Sequence, residues 1–323
     1  MPPKDKDPFE LEAELIGAFQ RHAVQHSCVS TRTRAAGQGW RQRLTAAIPA
    51  VAEVFGHRHQ HLHEPQFYHF GLYQGVSVRF IDGVATAVSS QPPKHFGFDS
   101  FHGLPPSKVD VTAAWPEGKY AADPRQMLRT ALGQRVDFVE GFYNESLADD
   151  GLVKARGMRP ALYVDIDCDL YESTLPALQF LHRNHLIQPG TIVGFDDWWT
   201  YPCAPGNEGL SPLDVGEGRA HAELAKQFDV EFMCLTGPCT EAASPPNCSA
   251  GAHVELYDRQ EMMQLMFVAV SVGAGRGRSG FNMTSEQVRR YKATGGPCVT
   301  FHKNRQMGGR HFAIRDKSTV GAS

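Results

Sequence analysis

The sequence lacks both a long hydrophobic run and a block of like charges. No stretch of about 18 apolar residues is present, the length that a helix needs to cross a bilayer. The charged N-terminus does not have the pattern of a secretory signal. A formal net charge of −3 gives little attraction to nucleic acid or to an anionic membrane. We therefore expect a cytoplasmic protein whose partner is a small molecule, with no nucleic acid and no membrane; a homo-oligomer is left open.

Cysteine is present without the spacing that would give it a structural task. The seven cysteines are odd in number and include no C-x-x-C pair. That pattern favours neither a disulfide framework nor a zinc site, and it fits a reducing compartment. The hydrophobic content of 41% over 323 residues is enough for one large α/β domain that is held together by apolar packing.

The spacing of apolar residues predicts helices first and an alternating pattern afterwards. Residues 9–24 and 43–55 have helical periodicity, and we assign residues 1–55 to a helical N-terminal extension. The predicted strands that follow are 67–72, 95–101, 135–141, 161–167, 191–197, 230–235 and 265–272. Between them, helices are predicted over 75–88, 123–132, 145–155, 171–185 and 215–228.

Strands that alternate with helices are typical of βαβ units. The predicted fold class is therefore α/β, with a doubly wound, Rossmann-like sheet of seven mostly parallel strands. We assign residues 56–272 to this domain. Residues 273–323 contain few apolar side chains, and we expect them to form a disordered C-terminal tail.

Five aspartates lie at the ends of the fourth and fifth predicted strands. In an open parallel sheet, ligands bind beyond the carboxyl ends of the strands, so these side chains should converge. Carboxylates that are brought together without a counter-charge repel one another, and a hard divalent cation such as Mg²⁺ relieves that repulsion. Asp167, Asp196 and Asp197 are the candidate metal ligands.

The other two aspartates have different expectations. Asp165 lies inside the strand, where a buried, hydrogen-bonded group is expected rather than a ligand. Asp169 directly precedes a predicted helix, and the sequence alone leaves it undecided between a helix N-cap and a site residue.

The ends of the first two strands have features of a cofactor site. Gly71 and Gly75 allow a tight turn beneath a ligand, and Ser77 can donate from the next helix N-terminus. Asp99 ends the second strand, where a carboxylate can accept hydrogen bonds from ribose hydroxyls. On local grounds the alternative is that Asp99 caps a turn with Ser100.

Four segments stand out along the chain: GFDSFHGLP (97–105) with the later Trp115, VDFVEGFYNESL (136–147), DCDLYEST (167–174) and PGTIVGFDDW (189–198). Together they resemble the macrocin O-methyltransferase family, which comprises class I enzymes that depend on S-adenosylmethionine. The resemblance runs from about residue 67 to residue 228. A separate segment, HFGLYQGVS (69–77), is similar to a motif of catechol O-methyltransferases.

The resemblance implies roles for individual residues. Four residues would surround the methionine part of S-adenosylmethionine: Gly71, Tyr73, Gly75 and Ser77. Asp99 would hold the ribose, and Gly141 and Phe142 would border the adenine. The positions implied for cofactor binding are Gly71, Tyr73, Gly75, Ser77, Asp99, Ser100, Gly141 and Phe142. Asp167, Asp196 and Asp197 match metal-binding positions, and Asp167 also matches the position proposed as the catalytic general base.

One residue departs from the pattern. His69 stands where these enzymes usually have an acidic residue, two positions before the first glycine, so a carboxylate near the cofactor's amino group is missing.

The sequence thus predicts a Mg²⁺-assisted O-methyltransferase that methylates a hydroxyl of a small molecule, such as a sugar or phenol-like group of a secondary metabolite. Two alternatives stay open at this point. A D-x-D run can also hold a cation in a nucleotide-sugar glycosyltransferase, and a catalytically degenerate scaffold could bind the cofactor without turnover.

Overall fold

The computed structural model consists of one sheet with helices on both faces. The residues that the structure describes are 8–25, 43–55, 64–89, 91–110, 115–149, 151–198, 210–236 and 265–273. The strands are β1 Gln66–Phe70, β2 Lys94–Asp99, β3 Val136–Glu140, β4 Tyr163–Ile166, β5 Ile192–Phe195, β6 Val230–Thr236 and β7 Leu265–Val272. The helices are α1 Pro8–Gln25, α2 Leu44–Phe55, α3 Val76–Val88, α4 Arg125–Leu132, α5 Tyr143–Ser146, α6 Leu152–Arg156, α7 Tyr171–Arg183 and α8 Gly216–Gln227.

The strand order is β3-β2-β1-β4-β5-β7-β6. In this order, the neighbouring strands from β3 through β2, β1 and β4 to β5 are parallel. Strand β7 is antiparallel to both of its neighbours, β5 and β6. This topology confirms the predicted α/β class with seven mostly parallel strands. The strand order reverses between β1 and β4, because the chain continues from β1 to β2 on one side and from β4 to β5 on the other. The carboxyl ends of β1 and β4 therefore lie side by side at the place where ligands bind in such sheets.

The core occupies both faces of the sheet because neighbouring residues of each strand point to opposite sides. On one face Phe70, Phe98 and Ile166 belong to a buried cluster that includes side chains of α7 and α8. On the other face Phe67 and Tyr163 belong to a cluster with α1, α2 and α3. The N-terminal helices therefore pack directly on the sheet.

The structure differs from the sequence-based expectations at the 145–155 segment and at Cys234. The segment predicted as one helix over 145–155 forms α5 and α6, separated by a turn in which the Asp149 carboxylate accepts the Gly151 N–H at 2.7 Å. Cys234 of β6 is disulfide-bonded, although the cysteine pattern favoured no disulfide framework, because spacing along the chain does not report which residues the fold brings together. The tail prediction for residues 274–323 lies outside the described residues. None of the described helices has the length and apolarity to cross a bilayer.

Gly71, at the end of β1, is pressed against the chain that leaves β4. Its φ is +91°, and a Cβ atom at this position would lie 1.8 Å from the main-chain oxygen of Asp167. Its N–H donates to the Phe98 oxygen at 3.0 Å. The left-handed conformation and the close approach both require glycine.

We expect Gly71→Ala to destabilise the fold by roughly 3 kcal/mol, because the new methyl group overlaps the main chain and φ becomes strained. Chemical denaturation measures the free energy of unfolding. Gly83→Ala is the matched control: within the described structure nothing lies within 4 Å of a Cβ at this α3 position, so a gain of up to about 1 kcal/mol in helix propensity is expected. Wild-type stability of Gly71→Ala would contradict this account of the turn.

Candidate active site

Three carboxylates meet at the carboxyl edge of β4 and β5. Asp167 follows β4, Asp196 and Asp197 follow β5, and one ligand oxygen from each lies within 4.8 Å of the others. Main-chain hydrogen bonds continue the strand pairing into this edge: Asp167 N donates to Phe70 O at 2.9 Å, and Asp196 N donates to Ile166 O at 3.0 Å. The predicted metal ligands are thus adjacent. All three are partly exposed, which leaves room for a ligand to reach them.

Asp169 lies in this group of carboxylates and does not cap α7. It is 8% exposed, has a φ of +62° and makes a side-chain hydrogen bond with Asp197. Burial, followed by the charges of Asp167 and Asp196, raises the pKa of Asp169 to about 7. The positive charge of Lys119 acts in the opposite direction. The structure therefore favours the site interpretation over the N-cap.

Asp110 caps α7 instead. Its carboxylate accepts the N–H of Tyr171, the first residue of α7, and the N–H of Gly216, the first residue of α8, at 3.3 Å. The side chain is 1% exposed. A single buried carboxylate thus satisfies main-chain donors at the start of two helices, which would otherwise lack partners. The capping role of Asp110 was missed from the sequence because this residue lies in an irregular segment that is far along the chain from both helices.

Asp165 has the structural place that was expected. It is buried in β4, and the hydroxyl of Tyr163 donates to it at 2.7 Å.

Asp99 organises the turn that follows β1. Its carboxylate accepts main-chain N–H groups from Leu72 at 2.7 Å, Tyr73 at 3.3 Å and Phe101 at 2.7 Å. A carboxylate offers about four acceptor positions, so these bonds use most of them. Burial raises the pKa of Asp99 in spite of those bonds. The role that the structure shows for Asp99 is to hold these main-chain N–H groups in place. Ribose binding by Asp99 remains a prediction.

The other predicted cofactor residues lie at the same edge of the sheet. The Ser100 hydroxyl donates to Gly103 O at 2.9 Å within a turn. Gly75 precedes α3 with a φ of +71°, and Ser77 lies in the first turn of that helix. Gly141 has a φ of +125°, and its N–H donates to Asp99 O at 3.1 Å; Phe142 follows at the start of α5. Because β1, β2 and β3 are neighbours, the structure brings the three predicted cofactor segments together.

An aromatic pair borders this edge. Tyr73 is 45% exposed, and its ring makes an edge contact with Tyr120 at a centroid distance of 5.4 Å. The Nζ of Lys119 lies 4.7 Å from the centroid of the Tyr120 ring. Neither Lys119 nor Tyr120 was singled out from the sequence, because no motif there points to them.

His69 does not face the turn that was expected to hold the cofactor. Its imidazole is fully buried, with Nε2 2.9 Å from His95 Nδ1 and Nδ1 3.8 Å from a carboxylate oxygen of Asp165. His95 in turn contacts Asp82 at 3.1 Å, and Asp82 accepts hydrogen bonds from Arg135. His69, the residue that departs from the family pattern, is therefore one member of a row of polar side chains that continues through His95 and Asp82 to Arg135.

A family model described as macrocin O-methyltransferase matches residues 25–207, more than half of the chain. The chain belongs to this family. It is accordingly an enzyme that transfers a methyl group, which favours methyl transfer over the glycosyltransferase alternative. No curated protein sequence matches the chain significantly.

Solved structures similar to this macrocin-family chain are themselves methyltransferases. CalS11, a calicheamicin methyltransferase, is 19% identical with a TM-score of 0.42, over 70% of this chain and 89% of its own. The O-methyltransferase NovP is 16% identical with a TM-score of 0.47, over 80% and 98% of the two chains. An O-methyltransferase from Bacillus cereus in complex with SAH is 14% identical with a TM-score of 0.38, over 83% and 93%.

Burial of His95 makes stability depend on pH. Burial lowers the pKa of His95 to about 4, although the hydrogen bond to Asp82 opposes this shift. An unfolded histidine has a pKa of about 6.5, so between these values the unfolded chain binds more protons than the folded one. The contribution of His95 to the free energy of unfolding should therefore fall by roughly 3 kcal/mol as the pH is lowered from 6.5 to 4.

His95→Gln can keep hydrogen bonds to both neighbours but does not titrate, so we expect a shallower pH dependence in this variant. Urea denaturation between pH 4 and pH 7.5 provides the comparison. Parallel curves for the variant and the wild type would rule out His95 as a source of the effect.

Proposed function

We propose that this protein transfers the methyl group of S-adenosylmethionine to a hydroxyl of a small molecule, and that Mg²⁺ held by Asp167, Asp196 and Asp197 assists the transfer. The acceptor class is a sugar or phenol-like group of a secondary metabolite. The observation that carries the proposal is the convergence of three carboxylate oxygens within 4.8 Å beside the turn at Gly71.

The donor set fits a hard cation. Carboxylate oxygens suit Mg²⁺, Mn²⁺ or Ca²⁺ rather than a soft metal. The raised pKa of the neighbouring Asp169 has burial and negative charge as its causes, and a cation at this place would offset that charge. When bound, Mg²⁺ supplies a positive charge that makes a nearby hydroxyl more acidic, and S-adenosylmethionine supplies the activated methyl group.

The chain itself positions the reactants. The Gly71 to Ser77 turn offers main chain that a cofactor can approach closely, and Asp99 holds that turn in place through the N–H groups of Leu72 and Tyr73. Gly141 and Phe142 border the adenine in this proposal. The main chain of Asp167 lies next to Gly71. The residue that would hold the metal beside the acceptor hydroxyl is therefore in contact with the cofactor turn. Such proximity lowers the barrier to a transfer between two bound molecules.

Asp167 is our proposed general base, and Asp169 is a second candidate. Asp169 is buried beside the metal-binding edge and bonds to Asp197, so it could take the hydroxyl proton without being one of the three ligands. A base that does not coordinate the cation keeps its lone pairs available for the proton.

Calorimetry tests the cofactor and the metal. We expect S-adenosylmethionine and S-adenosylhomocysteine to bind, and Mg²⁺ to bind with an affinity that falls at least about tenfold in Asp167→Asn, because a ligand oxygen is lost. Absence of binding by both nucleosides would refute the cofactor proposal, and unchanged Mg²⁺ affinity in the variant would refute the metal proposal.

The base is identified by comparing Asp167→Asn with Asp169→Asn. If Asp167 is both ligand and base, Asp169→Asn should retain Mg²⁺ affinity and most of the transfer to phenolic and glycosidic acceptors. Methyl transfer is followed with a labelled methyl group. Intact Mg²⁺ binding together with a loss of transfer of about 100-fold or more in Asp169→Asn would move the base from Asp167 to Asp169.

A further inference from the structure

Glu217 is a buried carboxyl group behind the metal-binding edge. It is the second residue of α8 and is 0% exposed. One of its oxygens, Oε2, accepts the main-chain N–H of Asp197 at 3.0 Å. Glutamate is almost never fully buried unless it has a partner, so the place of this side chain calls for an explanation.

The surroundings of Glu217 are unfavourable for a carboxylate. Among the described residues, its Oε1 atom has no hydrogen-bond partner although it is buried. Burial and then the charge of Asp197 raise the pKa of Glu217 well above its ordinary value. A helix N-terminus favours a negative side chain, but an exposed glutamate in the first turn would gain the same benefit without the desolvation. The helix alone therefore does not account for a carboxyl group at this place.

The start of α8 is held tightly, so Glu217 is a fixed point. The N–H of Gly216 donates to the buried Asp110. A Cβ atom on Gly218 would lie 2.5 Å from Pro212 O and 3.3 Å from the ring of Trp198. The backbone on both sides of Glu217 thus has close contacts with neighbouring segments.

The segment that carries two of the candidate ligands is held at each of its residues. Asp196 donates its N–H to Ile166 O at 3.0 Å, which ties it to β4. Trp198 is buried, with its ring 5.2 Å from that of Phe195. Between them, the N–H of Asp197 has Glu217 as its acceptor. Without that acceptor, the peptide group before Asp197 would lose a partly buried hydrogen bond and would be free to rotate.

We propose that Glu217 is a positioning residue, which fixes the main chain at Asp197 so that the carboxylates of Asp196 and Asp197 face Asp167. This inference rests on the proposed metal site and adds to it a residue that coordinates nothing. Residues that hold metal ligands in place typically change affinity by about 10- to 100-fold when they are replaced.

The test compares two replacements of Glu217. Glu217→Gln keeps an acceptor oxygen for the Asp197 N–H, whereas Glu217→Met fills a similar volume without one. Mn²⁺ serves as the probe, and its binding is measured by electron paramagnetic resonance. We expect Glu217→Met to bind Mn²⁺ at least about tenfold more weakly and Glu217→Gln to stay within about threefold of the wild type, because Gln retains the acceptor.

Glu223→Met is the matched control, since Glu223 lies on the same helix but is exposed and paired with Arg219; Mn²⁺ affinity should not change. Hydrogen exchange of the Asp197 amide in the metal-free protein gives a second measurement. It should be faster in Glu217→Met and unchanged in Glu217→Gln. Should Glu217→Met not fold, Glu217→Ala replaces it in both measurements.

The outcomes separate this inference from the proposed function. Wild-type Mn²⁺ affinity and wild-type exchange in Glu217→Met would overturn the positioning role. An equal loss of affinity in Glu217→Gln and Glu217→Met would also overturn it, because the carboxylate would then be a ligand itself. If the wild-type protein binds no Mn²⁺, the metal site fails, and with it the purpose we assign to Glu217, whatever the exchange at Asp197.

Discussion

The close approach of the chain at Gly71 to the chain at Asp167 is the constraint on which the site depends. β1 and β4 are neighbours whose connections lead to opposite halves of the sheet. Their ends meet through the Asp167 N–H, which donates to Phe70 O at 2.9 Å, and through Gly71, where a side chain has no space. The turn assigned to the cofactor and the edge assigned to the metal therefore share a main-chain contact. A displacement of either segment displaces the other.

The second constraint is electrostatic. The raised pKa of Asp169 and of Glu217 arises from burial together with the neighbouring carboxylates, so the folded protein concentrates negative charge at one place. Such an arrangement opposes stability unless protons or a cation compensate it. The same concentration of charge would attract a divalent ion, which means that a feature unfavourable for folding suits the site to its proposed chemistry.

The sequence predicted the strands and the larger helices because their signals are local. β1 was expected over 67–72 and spans Gln66–Phe70; it ends where Gly71 turns the chain. Buried strands followed by acidic residues also located Asp167, Asp196 and Asp197, since the ends of adjacent parallel strands must be neighbours. Asp110 and Glu217 could not be found in this way. Their partners lie 61 and 20 residues away in the chain, and no periodicity encodes those contacts.

Asp169 illustrates why spacing alone left its role undecided. A residue just before a helix is a natural N-cap, and nothing within the segment DCDLYEST indicates otherwise. The capping bond to Tyr171 comes from Asp110, which the loop after β2 brings to the start of α7. With the start of α7 capped by Asp110, residue 169 adopts a left-handed conformation, and its carboxyl group is hydrogen-bonded to that of Asp197 instead, with one proton between the two groups. The capping task that the sequence left open for Asp169 is thus performed by Asp110, which only the folded chain places beside that helix.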